Sequence, residues 1–311
     1  MDKRHNDLAG FLRTRFGCRV QKITVDAGLT CPNRDGSLST GGCAWCNALG
    51  SGTGMAAGGL SVSEQLRRGI ERASRRYKAK KYIAYFQSYS NTYAPVEGLR
   101  ELWEEALSVP GVVGLSIGTR PDCVSDPVLD LLESYARDRM VWVEYGLQTA
   151  NDATLRALNR GHDSACFADA VRRTRGRGIL VCAHTILGLP GETRGDMRDT
   201  ADFVAGLDID GIKLHLLYVV RNTALARMYE RGEFRCLSLE EYADLVCDML
   251  ERLPENVVIQ RLTGDPHPGE LLAPQWALDK NRVRGYIFGR MEERDVRQGR
   301  RAQTRSPVLP L

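Results

Sequence analysis

The sequence predicts an α/β fold, a curved parallel sheet wrapped by helices. Three observations predict it. Six short apolar or β-branched runs recur along the chain, helix-period stretches lie between them, and Gly, Pro, Asn and Asp punctuate the joins. Strands this apolar, separated by helices, belong to a parallel sheet covered on its outer face.

The strand runs are KITVDAG (22–28), YIAYFQS (82–88), VVGLSIGT (112–119), MVWVEYGLQT (140–149), ILVCAHTILGL (179–189) and GIKLHLLYVV (211–220). Helices are expected near 63–78, 96–107, 126–138, 164–176 and 193–205. Ser61 and Glu64 have capping-box spacing, and Asp126 before Pro127 reads as an N-cap ahead of a proline at the first helical position. A further helix at 238–252 starts on a second capping box, Ser238 with Glu241, ahead of Tyr242, Val246 and Met249. One more strand (257–262), a Gly/Pro-rich loop and a basic helix complete the chain, so 15–254 reads as the core domain and 255–311 as a C-terminal extension with a basic tail. Six strand–helix units make either an incomplete barrel or an open doubly wound sheet. In both, ligands bind beyond the carboxyl ends of the strands.

Composition narrows the class. The chain is 43% hydrophobic and 26% charged over 311 residues, which excludes intrinsic disorder and a minimal disulfide scaffold. No uncharged apolar run approaches the roughly 20 residues that cross a bilayer, and the N-terminus lacks a secretory apolar core. A cytoplasmic protein with nine reduced cysteines is expected, and no membrane partner. Two basic blocks stand on an otherwise acidic chain. Residues 67–81 hold eight basic residues against one acid, and 282–305 hold eight arginines against three acids, within a net charge of +4. Such blocks read either as contacts for a polyanion such as RNA or as solvated faces.

The sharpest motif follows the first strand: Cys31, Cys43 and Cys46 in CPNRDGSLSTGGCAWC, a C-x11-C-x2-C spacing in a Gly- and Asn-rich loop. A closed zinc site or an electron-transfer 4Fe–4S cluster takes four ligands. Three thiolates leave one iron of a cubane open. A zinc site completed by Cys18 or His5, and a four-thiolate carrier using Cys18, are the competing readings. A thioredoxin-type pair at Cys43 and Cys46 leaves Cys31 unexplained. An open iron at the top of a (β/α) sheet points to S-adenosylmethionine, whose amino and carboxylate groups can chelate it and whose cleavage yields a 5′-deoxyadenosyl radical. Trp45 is placed to pack on the adenine, and reads equally as a core aromatic.

The chain resembles the radical S-adenosylmethionine superfamily, in particular small bacterial proteins related to the catalytic subunit of Elongator. The resemblance is carried by DAGLTCPNRDGSLSTGGCAWCN, LSIGTRPDC (115–123), VEYGLQTANDATLRALNRGHD (143–163), HTILGLPGET (184–193) and KLHLLYVVRNTALARMYERGEF (213–234). With it, the fold class reads α/β, a partial (β/α)6 TIM-type barrel with a small C-terminal extension. It implies a 4Fe–4S cluster on Cys31, Cys43 and Cys46, S-adenosylmethionine as second cofactor, and an external electron donor. Ser88 and Asn91 match positions at the amino-acid end of the cofactor. Glu144 and Gln148 match positions near its ribose and carboxylate, and four apart on a strand they share a face. Ile186, Gly188 and Leu189 match positions along the adenine. Arg120, Asp122, Arg160 and His162 fall beyond strand ends, on the substrate side, where an Arg120–Asp122 pair also reads as a loop clamp. His184 reads as a core histidine.

Departures limit the analogy. Gly118 stands where the Elongator branch has an acid, and 311 residues leave no room for an acetyltransferase domain, so uridine carboxymethylation is not expected. The reading is a radical S-adenosylmethionine enzyme acting on an unidentified substrate, with RNA or tRNA as the expected class. The alternative is a non-catalytic, zinc-organised RNA-binding module.

Overall fold

The computed structural model describes residues 3–50, 55, 56 and 58–302. The strands are β1 (Val20–Val25), β2 (Lys81–Phe86), β3 (Val112–Thr119), β4 (Met140–Gln148), β5 (Leu180–Leu187), β6 (Gly211–Leu216), β7 (Val219–Val220), β8 (Val258–Arg261) and β9 (Leu271–Ala273). The helices are α1 (Leu8–Phe16), α2 (Val62–Tyr77), α3 (Val96–Ser108), α4 (Asp126–Ala136), α5 (Asp152–Ala157), α6 (Ser164–Thr174), α7 (Arg194–Ala205), α8 (Ala224–Glu230), α9 (Leu239–Arg252) and α10 (Lys280–Glu293). Seven strands make one parallel sheet in the order β1-β2-β3-β4-β5-β6-β8, a curled half-barrel of the TIM type. A separate antiparallel pair joins β7 to β9.

The helices enter as their caps dictate. Ser61–Glu64 and Ser238–Glu241 are both complete capping boxes, at the starts of α2 and α9. A third, Thr193–Asp196, opens α7. The fourth helix corrects the expectation: its N-cap is Ser125, with Asp126 already inside the first turn and no side-chain cap bond. Leu66, Leu99, Trp103, Leu129, Phe167 and Val246 are buried from these helices against the outer face of the sheet.

The inner face is layered. At the strand N-termini an apolar plug holds Leu12, Val20, Ile83, Met140, Trp142, Cys182 and Val258, with Phe11 edge-on to Trp142 at 5.9 Å. Truncating a buried tryptophan of this kind costs about 3–5 kcal/mol. α1, which was not expected as a helix, supplies the floor: Asp7 caps it and Gly17 ends it in the left-handed region. One residue layer above the plug the interior turns polar. There Lys22 of β1 reaches Glu144 of β4 at 2.5 Å, Ser116 of β3 at 3.0 Å and Gln260 of β8 at 2.7 Å. A single β1 lysine touching β8 shows how far the sheet has curled. Asp7 and Ile259 add one isolated backbone bridge at that seam.

Two expected boundaries change. The 257–262 strand, placed at the start of the extension, is the seventh strand of the main sheet through β8. The run 211–220 breaks after Leu216, where Leu217 N–H bonds Leu187 O at 3.0 Å and turns the chain away, leaving β7 to pair with β9. No helix is long and apolar enough to cross a membrane, among the described residues.

Candidate functional site

The carboxyl ends of the strands and the loops beyond them open on one cavity of about 240 Å³. Cys31, Cys43 and Cys46 all line it. Short-range bonds shape their loop: Arg34 N–H donates to Cys31 O at 2.8 Å, and Cys46 N–H to Cys43 O at 2.9 Å. The turn between the last two cysteines is then sewn to distant elements. Ala44 N–H donates to Leu158 O at 3.0 Å, and Leu225 N–H donates to Ala44 O at 2.8 Å.

Donors converge on the sulfurs. Arg160 Nη1 lies 3.5 Å and Asn33 Nδ2 3.6 Å from Cys43 Sγ. Arg160 also ties the loop to the sheet through Gly146 O at 2.7 Å. A Cβ on Gly146 would stand 2.7 Å from that guanidinium, so the strand needs glycine there. Gly161, at φ +79°, has the same duty toward Asn33 Oδ1 at 2.7 Å. Arg34 stands beside Cys46; burial still holds that thiol above its usual range, with Arg34 pulling the other way. Arg160 Nε and Asn33 Oδ1 are buried with no partner. Arg160 Nε is a donor left over beside the Cys43 thiol, whereas Asn33 Oδ1 is an acceptor that only an incoming N–H or O–H could satisfy.

Two further candidate ligands lie away from the cysteine loop. Cys18 precedes β1 and Cys31 follows it. A six-residue strand at about 3.3 Å per residue puts them at opposite ends of the sheet. His5 stacks on Phe288 of α10 at 6.2 Å. Neither can complete the thiol set. Among the described residues no three His, Cys, Asp or Glu side chains converge on a position for a metal ion. The three thiols line one shared cavity.

The other expected residues fall into three groups. Trp45, Gln148, Ile186, Arg120 and Arg160 line the cavity. Trp45 and Ile186 pack against a buried cluster that contains Ala44, Leu158 and Leu189, so Leu189 stands behind the wall. Gly188, at φ +91°, faces Leu237 rather than the cavity. Ser88 and Asn91 are wholly buried outside the lining, where Asn91 Nδ2 ties Ser88 O at 3.0 Å to Gly118 O at 2.8 Å. Gln87 and Tyr89 take the wall in their place, because β2 ends at Phe86 and strand alternation stops there. Arg120 is clamped bidentately by Asp122 at 2.9 and 2.7 Å and donates to Arg160 O at 2.8 Å, the loop-fixing role. Asp122 lines a separate shallow recess. His162 is outside the cavity and sits 3.1 Å from both Gly146 O and Asp163 O; burial and Arg160 bring it down to about 3.

Glu144, expected beside a ribose or carboxylate, lines the cavity and is also the hub of the buried polar layer. Its oxygens accept from Lys22 at 2.5 Å, Ser116 at 2.5 Å, His184 at 2.6 Å and Lys213. Burial pushes this carboxyl up, but Lys213 and Lys22 outweigh it and hold Glu144 well below the usual range. Burial brings Lys22 down to about 8 and, with Lys213, His184 down to about 4. His184 lines the cavity, contrary to its reading as a core histidine. Gln148 no longer follows simple alternation with Glu144. A bulge between Gly146 and Gln148 and a φ of +77° re-aim it. Lys22, Lys213, His215 and Arg261 were missed as partners of this interior. The available signal was an ionisable residue inside each apolar strand run.

The loop after β5 carries one more titratable group. Glu192 is buried enough that its carboxyl rises to about 7. A carboxyl raised from 4.5 to about 7 contributes stability that is complete below pH 4.5 and lost as pH rises through 7. Glu192→Gln is therefore expected to raise the Tm at pH 8 by a few degrees, roughly 2–4 °C, and to leave it unchanged at pH 4.5. Thermal melts at the two pH values check this, and an equal shift at both contradicts it.

A family model described as the radical SAM superfamily matches residues 36–204, and one described as the Radical_SAM C-terminal domain matches 209–293. The first match begins after Cys31. Relatives include the uncharacterized protein YtqA of Bacillus subtilis, 42% identical over 299 residues, covering 96% of this chain and 93% of that protein. Protein YhcC of Escherichia coli is 41% identical over 288 residues, covering 92% and 91%. Elongator complex protein 3 of Mus musculus is 29% identical over 196 residues, 60% of this chain and 34% of that protein. Among solved structures, the archaeal Methanocaldococcus infernus Elp3 superposes with a TM-score of 0.69 at 18% identity, over 90% of this chain and 64% of that one. It supports the fold.

Proposed function

This chain belongs to the radical SAM superfamily, and we propose from that premise that Cys31, Cys43 and Cys46 hold a 4Fe–4S cluster with one iron left for S-adenosylmethionine. The carrying observation is that all three thiols of the C-x11-C-x2-C motif line one cavity at the strand ends. When bound, the cluster and S-adenosylmethionine supply radical chemistry, fed by an external electron donor and directed at a hydrogen or an unsaturated centre of the substrate. The chain's own part is to hold and to shield. Trp45 and Ile186 offer an apolar wall for the adenosyl group, and Gln87 and Gln148 offer amides at the strand ends. Arg160 and Asn33 stabilise the thiolate of Cys43, and Arg120 with Asp122 fixes the loop that carries them. Anaerobic reconstitution with iron and sulfide, then dithionite and S-adenosylmethionine, is expected to release 5′-deoxyadenosine. A fully loaded protein that releases none would defeat the reading.

RNA as substrate class is supported by exposed basic side chains in both blocks. Arg67, Arg68 and Arg72 are exposed on α2. In the 282–305 block Arg282 and Arg284 are exposed on α10 as well, while other arginines of the block are ion-paired. Arg290 and Arg294 pair with Asp244 at 2.7 and 3.0 Å, Arg300 with Asp295 at 3.5 Å and Arg301 with Glu251 at 3.3 Å. Arg305 lies outside the described residues. If RNA binds through α2, affinity for bulk tRNA falls about 20- to 40-fold between 50 and 200 mM salt for roughly three phosphate contacts. The triple change Arg67→Gln, Arg68→Gln, Arg72→Gln flattens that dependence. A filter-binding series that is flat for the unaltered protein removes RNA from the proposal.

A further inference from the structure

The cavity is unbalanced in charge. Among the described residues that line it there are five cationic side chains, Arg34, Arg120, Arg160, Lys213 and Arg261, and one carboxylate, Glu144. Arg120 is matched by Asp122, while Arg34 and Arg160 stand at the thiol wall. Lys213 and Arg261 remain, on β6 and β8. They are in-register partners, an arrangement in which like charges oppose each other. Lys213 shares Glu144 with Lys22 and His184. Arg261 makes no ion pair within 4.0 Å among the described residues, and is half-buried.

The backbone aims Arg261 inward. The β6–β8 register skips one residue, so that Ile212 faces Ile259 and Lys213 faces Arg261. Consecutive residues then share the inner side: Gln260 reaches Lys22 at 2.7 Å while Arg261 lines the cavity. A bulge that turns an arginine out of solvent toward a second cation costs free energy unless an anion completes it. The nearby histidines do not supply charge. His215 lies beside Arg261, and burial together with that arginine keeps its ring neutral, down at about 3. Its Nδ1–H donates to Leu216 O at 2.7 Å.

We infer that Arg261 and Lys213 form an anion subsite in the lower part of the cavity, which takes a carboxylate or phosphate carried by the substrate. Depth separates it from the expected cofactor position. Lys213 is level with His184, two residues below the Ile186–His215 level that borders the adenosyl wall, or about 6–7 Å further in. The word substrate rests on the proposed function; the anion subsite does not.

The test uses the full chain without reconstitution, titrated calorimetrically with succinate and with inorganic phosphate at ionic strength held constant by sodium chloride. At least one probe is expected to bind, about tenfold or more weakly in Arg261→Gln, and to within a few-fold of the original in Arg261→Lys. Crystals of the unaltered protein soaked in tungstate give a readout that needs no variant, with anomalous density expected between Arg261 and Lys213. No binding of either probe, equal binding by Arg261→Gln, or no density at that position would overturn the subsite. An equal loss of S-adenosylmethionine affinity in Arg261→Gln would also overturn it, by assigning the pair to the cofactor's own carboxylate. A loaded protein that fails to cleave S-adenosylmethionine while the probes still bind would remove the proposed function alone.

Discussion

Glu144→Gln is expected to destabilise the chain by about 3–5 kcal/mol, because it strips the counter-charge from two buried ammonium groups. Glu144 is 1% exposed, and Lys22 and Lys213 both bond it from within the barrel. The amide keeps the shape and loses the charge, so the variant isolates the electrostatic part. Replacing the whole set, as Glu144→Leu with Lys22→Met and Lys213→Met, is expected to recover most of the loss, since a dry apolar layer needs no compensation. Urea unfolding midpoints measure both. An unshifted midpoint for Glu144→Gln would mean that the lysines find water or another acid. The same cluster sets the acid limb. Glu144 ionises well below 4.5 in the fold, so its contribution is present above that value and lost as pH falls below it. His184, held down to about 4, adds a loss in the same direction from 6.5 downward. Between pH 6.5 and 4.5 the His184 loss is opposed by the gain from Glu192, so the net fall in stability is expected below pH 4.5.

Cys43→Ala is expected to abolish iron loading and to lower 5′-deoxyadenosine release to background, more than about 100-fold, since loss of a ligand exceeds the 10–100-fold effect of its outer partners. Cys43 is the buried member of the three and the one that accepts from both Arg160 and Asn33. Cys18→Ala is the matched control, at the far end of β1, and should change neither iron content nor cleavage. Iron and sulfide analysis with absorption near 400 nm separates the outcomes. Full iron content in Cys43→Ala would break the three-thiol assignment, and loss of iron in Cys18→Ala would restore a fourth ligand.

The helices and strands were legible where a local rule governs them. Capping boxes at Ser61 and Ser238 and apolar runs in β2 to β6 stand within a few residues of sequence. α1 was not, because Leu8, Phe11, Leu12 and Phe16 share a helix face but are diluted by arginines. β8 escaped into the extension because a four-residue strand carries little pattern. At the site, the cysteine motif announced itself by spacing. The polar layer did not. Lys22, Glu144, Lys213 and Gln260 lie far apart in the chain and meet only because the sheet curls. Where Ser88, Asn91 and Gln148 point was not legible for another reason: counting by twos fails past a strand end or through a bulge.

The bond from Lys22 to Gln260 has a mechanical meaning. β1 and β8 are the two outer edges of the sheet, and at this level they are joined by side chains rather than by a ladder. Prying them apart there breaks one charge-assisted contact, about 1.5–3 kcal/mol, whereas parting any inner pair breaks a whole row of amide bonds. The wall therefore has a built-in zip on one side. Lower down, the same seam is held by the Asp7–Ile259 bridge and by the plug that Leu12, Val20 and Val258 share, so the weak link is confined to the polar level.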